Sequence, residues 1–463
     1  MNPVREWVIN RNRCVWSSCY SYVDAMMSAR PVLTGFGPVG WPWLQMLGAL
    51  RALGQAPARS APSGGTNLSA PGRQANDDDD DLDSLTPDHM SVWIELFYDL
   101  GFVAAILIIS VAVAHVHPSS GIIWLVLVFA ALWWVWFTTT VCANRFRMVD
   151  LPHRLLLLFQ MLVIVLMAME ARVSVTGDSA YLALEYGLLL LTVGFMYFRA
   201  ARLGGSSDSG HAVRLAVLNA VSAACFFVAV PLPETARLIL SAAALVLLVI
   251  PSIIILHRLN DFSDSGEKHL ADRMGAFTLI VCGESFVEIA ISVSGATIDT
   301  IDVVALVFEF ILVFALFTSY FDDIPAAGLN QRRFGGWASL HLVTQICIAG
   351  TAVAASKLIS LNTSHHLPDI EILRLTTPLA IFYIALAGVG ACTRRRPVGP
   401  LAVARMLTAL GVAVAGVAAW WIPWIHLAEA LPIFAAIAVI HAFVAVRFRA
   451  RTLVIDATAL NPL

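Results

Sequence analysis

Three acidic residues in apolar segments are the side chains of this sequence that are best suited to chemistry. Glu284 lies near the middle of one apolar run, Glu288 is one turn further along, and Glu309 lies near the middle of the next run. An ionised side chain at the centre of a bilayer costs about 2.5–3.5 kcal/mol on insertion scales, and no Lys or Arg occurs at comparable depth. We predict a proton- or cation-binding site, with neutral carboxyls that hydrogen-bond neighbouring helices as the alternative.

A second acidic pair begins an earlier apolar run. Glu95 and Asp99 are four residues apart and therefore share one face of a helix. They fall in the first turns of that helix, where Arg145, Arg147 or Arg154 of the next link on the same side could reach them. This pattern predicts a structural ion pair that anchors the end of the helix.

Uncharged polar residues also occur inside the apolar runs. Gln160, Gln345, Asn219 and His341 are candidates to line a cavity, and interhelical hydrogen bonding explains each of them equally well. The seven cysteines show no repeated spacing of the kind that metal sites use, and we interpret them as packing residues. The sequence predicts no metal site and no cofactor.

The sequence that carries these residues is strongly apolar. Of its 463 residues, 59% are hydrophobic and 13% are charged, whereas soluble proteins carry about 25% charged residues. From Trp93 onward, apolar runs alternate with short polar links, and a helix of about 20 apolar residues spans the hydrocarbon core of a bilayer. Twelve such runs occur, the first at Trp93–His115 and the last at Leu427–Val446. We therefore predict an all-α fold, a polytopic transmembrane helical bundle of about twelve helices.

Polar segments flank the helical region. The stretch Gln55–Asp83 is rich in Ala, Pro, Ser, Gly and Asp, and a segment of that composition cannot bury enough apolar surface to become ordered. We predict a disordered N-terminal tail over residues 1–88, a transmembrane helical domain over 89–450 and a short cytoplasmic tail over 451–463.

The basic residues are unevenly divided between the two sides of the predicted spans. Eighteen Lys and Arg residues fall on one side and only four on the other, namely Arg172, Arg237, Lys357 and Arg374. Because Lys and Arg accumulate in cytoplasmic links, the first side is predicted to be cytoplasmic. With an even number of spans, the N and C termini both lie on that side.

The two halves of the helical region resemble one another weakly. Trp136–Thr138 in the second span corresponds to Leu316–Thr318 in the eighth, at an offset of about 180 residues. This similarity suggests two six-helix repeats, 89–260 and 261–450, which would insert in the same orientation because each contains an even number of spans.

Three segments are more specific than composition requires. The segments are Trp93–Val103 at the first span, then Asp272–Gly275 and Gly283–Ser285 in the seventh. Together they resemble the bacterial low-temperature-requirement A (LtrA) family over about residues 90–450. Gly101 and Cys282 are small departures from the family's usual Val and Leu.

The resemblance implies a multi-pass protein of the bacterial inner membrane, and it assigns no reaction to the chain. It marks Glu95, Asp99, Arg273 and Glu284 as motif positions without giving them roles.

The unpaired acids and the number of spans favour a secondary transporter or permease that is coupled to protons or to a cation. A membrane-embedded enzyme or factor acting on lipids is the first alternative, although no Gly-rich phosphate loop or Ser-His-Asp arrangement occurs. A non-catalytic membrane sensor is the second. The expected partners are the lipid bilayer and a small molecule or ion, with no nucleic acid; a homo-oligomer is left open.

Overall fold

The computed structural model describes residues 87–460 apart from 115–119, 147, 149, 175–179, 204–207, 260–263, 293–299, 322–332, 361–368, 394–398 and 422–426. Within these residues the chain forms twelve helices. They are α1 (Pro87–Ala114), α2 (Ser120–Phe146), α3 (Leu151–Ser174), α4 (Ala180–Leu203), α5 (Ser209–Ala229), α6 (Glu234–Leu259), α7 (Asp264–Ser292), α8 (Thr300–Phe321), α9 (Phe334–Ser360), α10 (Asp369–Cys392), α11 (Pro400–Trp421) and α12 (Leu427–Leu460).

All twelve described helices are long and apolar enough to cross a membrane. A helix satisfies its own backbone hydrogen bonds, which is why apolar runs of this length adopt it in lipid. The prediction of an all-α polytopic bundle is therefore confirmed. The N-terminal tail predicted over 1–88 lies outside the described residues up to residue 86. At the other end, α12 continues to Leu460, so residues 451–460 of the predicted tail are helical.

The helices differ in how much of their surface other helices cover. In α2 and α9, 78% and 67% of the most apolar window is buried inside the bundle, whereas in α6 and α11 the figures are 17% and 22%. The central helices α2 and α9 are therefore the ones whose side chains can meet several neighbours. The outer helices α6 and α11 present mostly apolar side chains to lipid.

The two halves share an order of helix packing. In the first half α1 packs on α3, α3 on α4, α4 on α5 and α5 on α6; in the second half α7 packs on α9, α9 on α10, α10 on α11 and α11 on α12. The halves meet through α1, α2 and α6 of the first half and α7 and α9 of the second. The pattern is not fully repeated, because α8 packs extensively on α12 while α2 packs on α4. The six-helix repeat stays a prediction.

A glycine allows α10 and α11 to approach closely. A Cβ atom at Gly416 would lie 2.6 Å from Cγ2 and 3.0 Å from Cβ of Thr376 on α10. Thr376 is β-branched and has little freedom to turn away. Gly411 on the same helix has no heavy atom within 4 Å of the same position.

We expect Gly416→Ala to destabilise the protein and Gly411→Ala to leave it unchanged or slightly more stable. Overpacking of a buried contact typically costs about 1–3 kcal/mol, whereas Ala in place of Gly within an open helix face gains up to about 1 kcal/mol. Unfolding of the two purified variants in detergent measures the difference. Equal stability of the two variants would contradict the close packing of α10 on α11.

Candidate functional site

The three acids predicted from the sequence lie on adjacent helices and are buried. Glu284 and Glu288 belong to α7 and are 3% and 2% exposed, and Glu309 belongs to α8 and is 0% exposed. Glu288 lies close enough to both Glu284 and Glu309 for its carboxylate to interact electrostatically with theirs. The structure therefore brings all three into one acidic cluster.

Protein donors satisfy few of the oxygens in the acidic cluster. Ser356 Oγ of α9 donates to Glu309 Oε1 at 3.5 Å. Ser110 of α1 lies beside Glu284, but its hydroxyl does not reach hydrogen-bond geometry. Five of the six carboxylate oxygens of the cluster have no hydrogen-bond partner within the described residues. Among the described residues no Lys, Arg or His forms an ion pair with any of the three.

The depth of the acidic cluster differs from the sequence expectation. Because α7 begins earlier than predicted, Glu284 lies about 8 Å beyond the midpoint of the span Gly266–Ile291, at a rise of 1.5 Å per residue. Glu309 lies about 5 Å from the midpoint of Val303–Phe321, towards the same end of the bundle. The acids therefore occupy the half of the bundle in which α7 ends and α8 begins, rather than the exact middle.

An ion-pair network lies at the opposite end of α7. Arg273 Nη2 donates to Asp99 Oδ1 at 2.6 Å and to the backbone oxygen of Glu95 at 3.1 Å. Arg273 Nε lies 3.4 Å from Glu95 Oε2, and Nε2 of His269 lies 3.4 Å from the same oxygen. Trp136 Nε1 donates to Asp99 Oδ1 at 2.7 Å. This network joins α1, α2 and α7.

The cation that pairs with Glu95 and Asp99 is not one of those that the sequence suggested. Arg145 instead pairs with Asp208, donating from Nε to Oδ2 at 2.9 Å. The link after α2 is close to Asp99 in the sequence, whereas Arg273 is 174 residues away from it. An ion pair at Glu95 and Asp99 is present, and Arg273 supplies its cation.

Apolar side chains separate the network from the acidic cluster. Arg273 and Glu284 are eleven residues apart, which is about three helical turns, so both lie on one face of α7. Phe277 and Val281 lie between them along that face and are both 0% exposed. The Phe277 ring packs against the Trp136 ring with centroids 4.3 Å apart. These apolar side chains separate the two ionic groups along α7.

The sequence of residues 91–446 matches the family described as bacterial low temperature requirement A protein (LtrA). The chain belongs to this family. The match includes every residue of the acidic cluster and of the ion-pair network. A search of curated proteins finds no match to the chain.

The two buried glutamines of this LtrA protein bridge helices. Gln160 Oε1 accepts from the Tyr98 hydroxyl at 2.5 Å, and its Nε2 donates to Thr192 Oγ1 at 2.8 Å. Gln345 Oε1 accepts from Trp133 Nε1 at 2.6 Å, and its Nε2 donates to Thr278 Oγ1 at 2.9 Å. Since neighbouring helices satisfy both ends of each amide, the contacts favour interhelical bonding over a cavity-lining role.

The other two polar candidates of the LtrA chain bond mainly within their own helices. Asn219 Nδ2 donates to the Leu215 oxygen at 2.8 Å, and its Oδ1 has no hydrogen-bond partner. His341 Nδ1 lies 2.8 Å from the Trp337 oxygen, and its Nε2 has no hydrogen-bond partner. Neither residue belongs to the acidic cluster.

A basic cluster near the acids was missed from the sequence. Arg374 donates to Glu371 Oε1 at 2.5 Å, and Lys357 Nζ lies 4.0 Å from the same oxygen. The three side chains are 5–6% exposed. From the sequence, Lys357 and Arg374 contributed only to the prediction of which side of the spans is cytoplasmic. The signal that could have found them is Glu371, an acid placed three residues from Arg374 at the start of a span.

We expect Arg273→Gln to destabilise the protein by about 3–5 kcal/mol, because it leaves the buried carboxylate of Asp99 without its cation. Adding Asp99→Asn removes the orphaned charge and should restore part of the loss. Arg199→Gln is the control, since its partner Asp150 is 48% exposed and an exposed pair contributes about 1 kcal/mol or less. Unfolding in detergent is measured for the wild type, the single variants Arg273→Gln and Asp99→Asn, their double variant and the control Arg199→Gln.

A double variant that is as unstable as the sum of its two single variants would contradict the pairing, because coupled residues are not additive.

Proposed function

We propose that this LtrA protein is a secondary transporter of the inner membrane whose acidic cluster carries the coupling protons. The observation that carries the proposal is the acidic cluster itself, formed by Glu284, Glu288 and Glu309. It is buried at the contact of α7, α8 and α9, and no ion-pair partner for it occurs in the part of the chain that the structure describes. Carboxylates at this depth need a positive partner, and a mobile one suits transport.

A proton suits the acidic cluster better than a metal cation does. Among the described residues no group of three or more His, Cys, Asp or Glu side chains is arranged to hold a metal ion. Calcium takes 6–8 oxygen ligands at about 2.3–2.6 Å, and magnesium demands near-ideal octahedral geometry. Three carboxyls that approach one another without converging on a point are instead suited to sharing protons.

The alternative, in which neutral carboxyls only hold helices together, is supported by one contact alone. That contact is the 3.5 Å bond from Ser356 to Glu309. If the carboxyls served only to link helices, each acid would be expected to hydrogen-bond a neighbouring helix. Gln160 and Gln345 do so at both ends of their amides. The amides are hydrogen-bonded to neighbouring helices and the acids mostly are not, which favours proton exchange over a purely structural role for the acids.

The ion-pair network and the apolar side chains that separate it from the acidic cluster would supply one barrier of such a transporter. They lie on the side of the acidic cluster that the distribution of basic residues predicts to be cytoplasmic. Access from that side requires that Phe277 separate from Trp136, with α7 moving relative to α1 and α2. Alternating access of this kind is how transporters expose a central site to each side in turn.

We expect Glu284→Gln to reduce solute-driven proton movement at least tenfold, because an amide of similar shape cannot release a proton. The protein is reconstituted in liposomes that contain a pH-sensitive dye, and a panel of small solutes is added outside. Glu185→Gln is the matched control, since Glu185 lies within a membrane span but outside the acidic cluster.

Two results would contradict the proposal. One is an unchanged proton flux in Glu284→Gln, and the other is the absence of any solute-dependent proton flux in the wild-type protein across the panel.

A further inference from the structure

A buried histidine of α9 has a ring nitrogen that can accept a proton. His341 is 0% exposed, and its Nδ1 lies 2.8 Å from the backbone oxygen of Trp337. A carbonyl oxygen only accepts hydrogen bonds, so Nδ1 carries the ring proton of the neutral imidazole. Nε2 is then a bare acceptor, and it has no hydrogen-bond partner among the described residues.

Aromatic side chains contact the His341 ring without satisfying Nε2. Trp337 of the same helix lies against the ring, with centroids 4.2 Å apart, and Tyr320 of α8 meets it edge-on, with centroids 5.8 Å apart. Tyr320 is the titratable group that faces the ring, and its hydroxyl donates to the Met274 oxygen at 3.4 Å. Within the described part of the chain His341 forms no ion pair. Because a buried polar atom is normally hydrogen-bonded, the bare nitrogen indicates a role beyond packing.

His341 and the acidic cluster lie in opposite halves of the membrane. The midpoint of the α9 span Phe334–Leu358 is residue 346, and His341 lies about 8 Å from it, on the side that the basic residues predict to be cytoplasmic. Ser356, which bonds to Glu309 of the acidic cluster, lies about 15 Å from the midpoint in the other direction. A proton that moves from His341 to the acids therefore travels about 23 Å along α9.

One face of α9 joins these two places with polar and small side chains. Gln345 is one turn from His341 and faces α7, because its Nε2 donates to Thr278 Oγ1 at 2.9 Å. At about 100° per residue, the residues four, seven and eleven positions further on lie within about 40° of Gln345 around the helix. The residues of this face, each at most 2% exposed, are His341, Gln345, Ala349, Ala352 and Ser356.

The surface of α7 that meets this face is also polar. Thr278 is followed one turn later by Cys282 and then by Ser285, which is next to Glu284, and all three are at most 2% exposed. Phe277, which lies between the ion-pair network and the acidic cluster, is about 100° away around α7. We call these three residues of α7, together with the five of α9, the seam. The seam connects His341 to the acidic cluster without passing the contact of Phe277 with α2.

We propose that His341 takes up the coupling proton on the cytoplasmic side and that the seam carries it to the acidic cluster. The inference rests on the proposed proton-coupled function and gives the proton a route of its own, while the opening at Phe277 remains the route of the solute. Nε2 takes a proton from a hydronium ion, which leaves water and forms the imidazolium ion. The proton then passes to a carboxylate oxygen of Glu309, which becomes a carboxylic acid, and the ring returns to its neutral form.

The side chains of the seam suit this transfer. The hydroxyl groups of Thr278, Ser285 and Ser356 and the thiol of Cys282 each carry a proton and can also accept one, so they can relay protons that apolar side chains cannot. The transfer works in both directions, because each relay group is restored after a proton has passed.

His341→Asn tests the relay. The asparagine amide can still donate to the Trp337 oxygen, but it cannot take up a proton; His341→Gln, which places an amide near the position of Nε2, is the second variant. His441→Asn is the matched control. His441 is 2% exposed, its Nδ1 lies 2.9 Å from Thr408 Oγ1 and its Nε2 has no hydrogen-bond partner among the described residues, but it belongs to α12 and lies outside the seam.

The first readout is solute-driven proton movement into liposomes that contain a pH-sensitive dye. We expect the flux to fall at least tenfold in His341→Asn and in His341→Gln, and to stay at the wild-type level in His441→Asn. An unchanged flux in both His341 variants, together with a loss of flux in Glu284→Gln, would overturn the relay and leave the acidic cluster as the coupling site.

The second readout needs no transported solute. The infrared carbonyl band of protonated carboxyls is followed in liposomes with the protein in one known orientation, after the pH is raised on one face only. We expect His341→Asn to respond at least tenfold more slowly than the wild type from the cytoplasmic face and at the wild-type rate from the other face. A variant that has merely lost structure would change from both faces. Equal rates from the two faces in His341→Asn, or a wild-type band that does not respond from the cytoplasmic face, would overturn the proposal even if no solute is ever found.

Discussion

The constraint on which this structure depends is that a charge buried in a bilayer must be neutralised within it, because no bulk water is present to solvate the charge. The chain meets this constraint in two ways. Asp99 receives a fixed cation, Arg273, and a tryptophan N–H, and these contacts join α1, α2 and α7. Among the described residues, Glu284 and its two neighbours receive no fixed cation, and in the proposed function a mobile proton balances their charge.

Helix α9 contacts the acidic cluster and also two of the helices that the ion-pair network joins, α2 and α7. Through Gln345 it bonds to Trp133 of α2 and to Thr278 of α7, so it is held against both halves of the bundle. At its far end Ser356 contacts the acidic cluster, and the next residue, Lys357, approaches Glu371 of α10. A change in protonation at Glu309 would therefore act on a well-anchored helix.

The sequence predicted the helices well and their contacts poorly, for a physical reason. Apolar length indicates where a span lies along the chain, and the three acids were recognisable because acidic residues are rare in apolar runs. Contact between spans depends on which helices pack together, and in a twelve-helix bundle the nearest link in the chain is a weak guide. Hence the sequence suggested Arg145, Arg147 or Arg154 of the next link as the cation beside Asp99, whereas Arg273 of α7 occupies that position.

The central claim is that protons neutralise the acidic cluster, and infrared spectroscopy of the purified protein tests it most directly. Protonated carboxyl groups show a carbonyl stretch that carboxylates lack. At neutral pH the wild-type protein is predicted to show this band, each of the single variants Glu284→Gln, Glu288→Gln and Glu309→Gln to weaken it, and the triple variant to lose most of it. A wild-type spectrum without the band, or a triple variant with the band intact, would contradict the account.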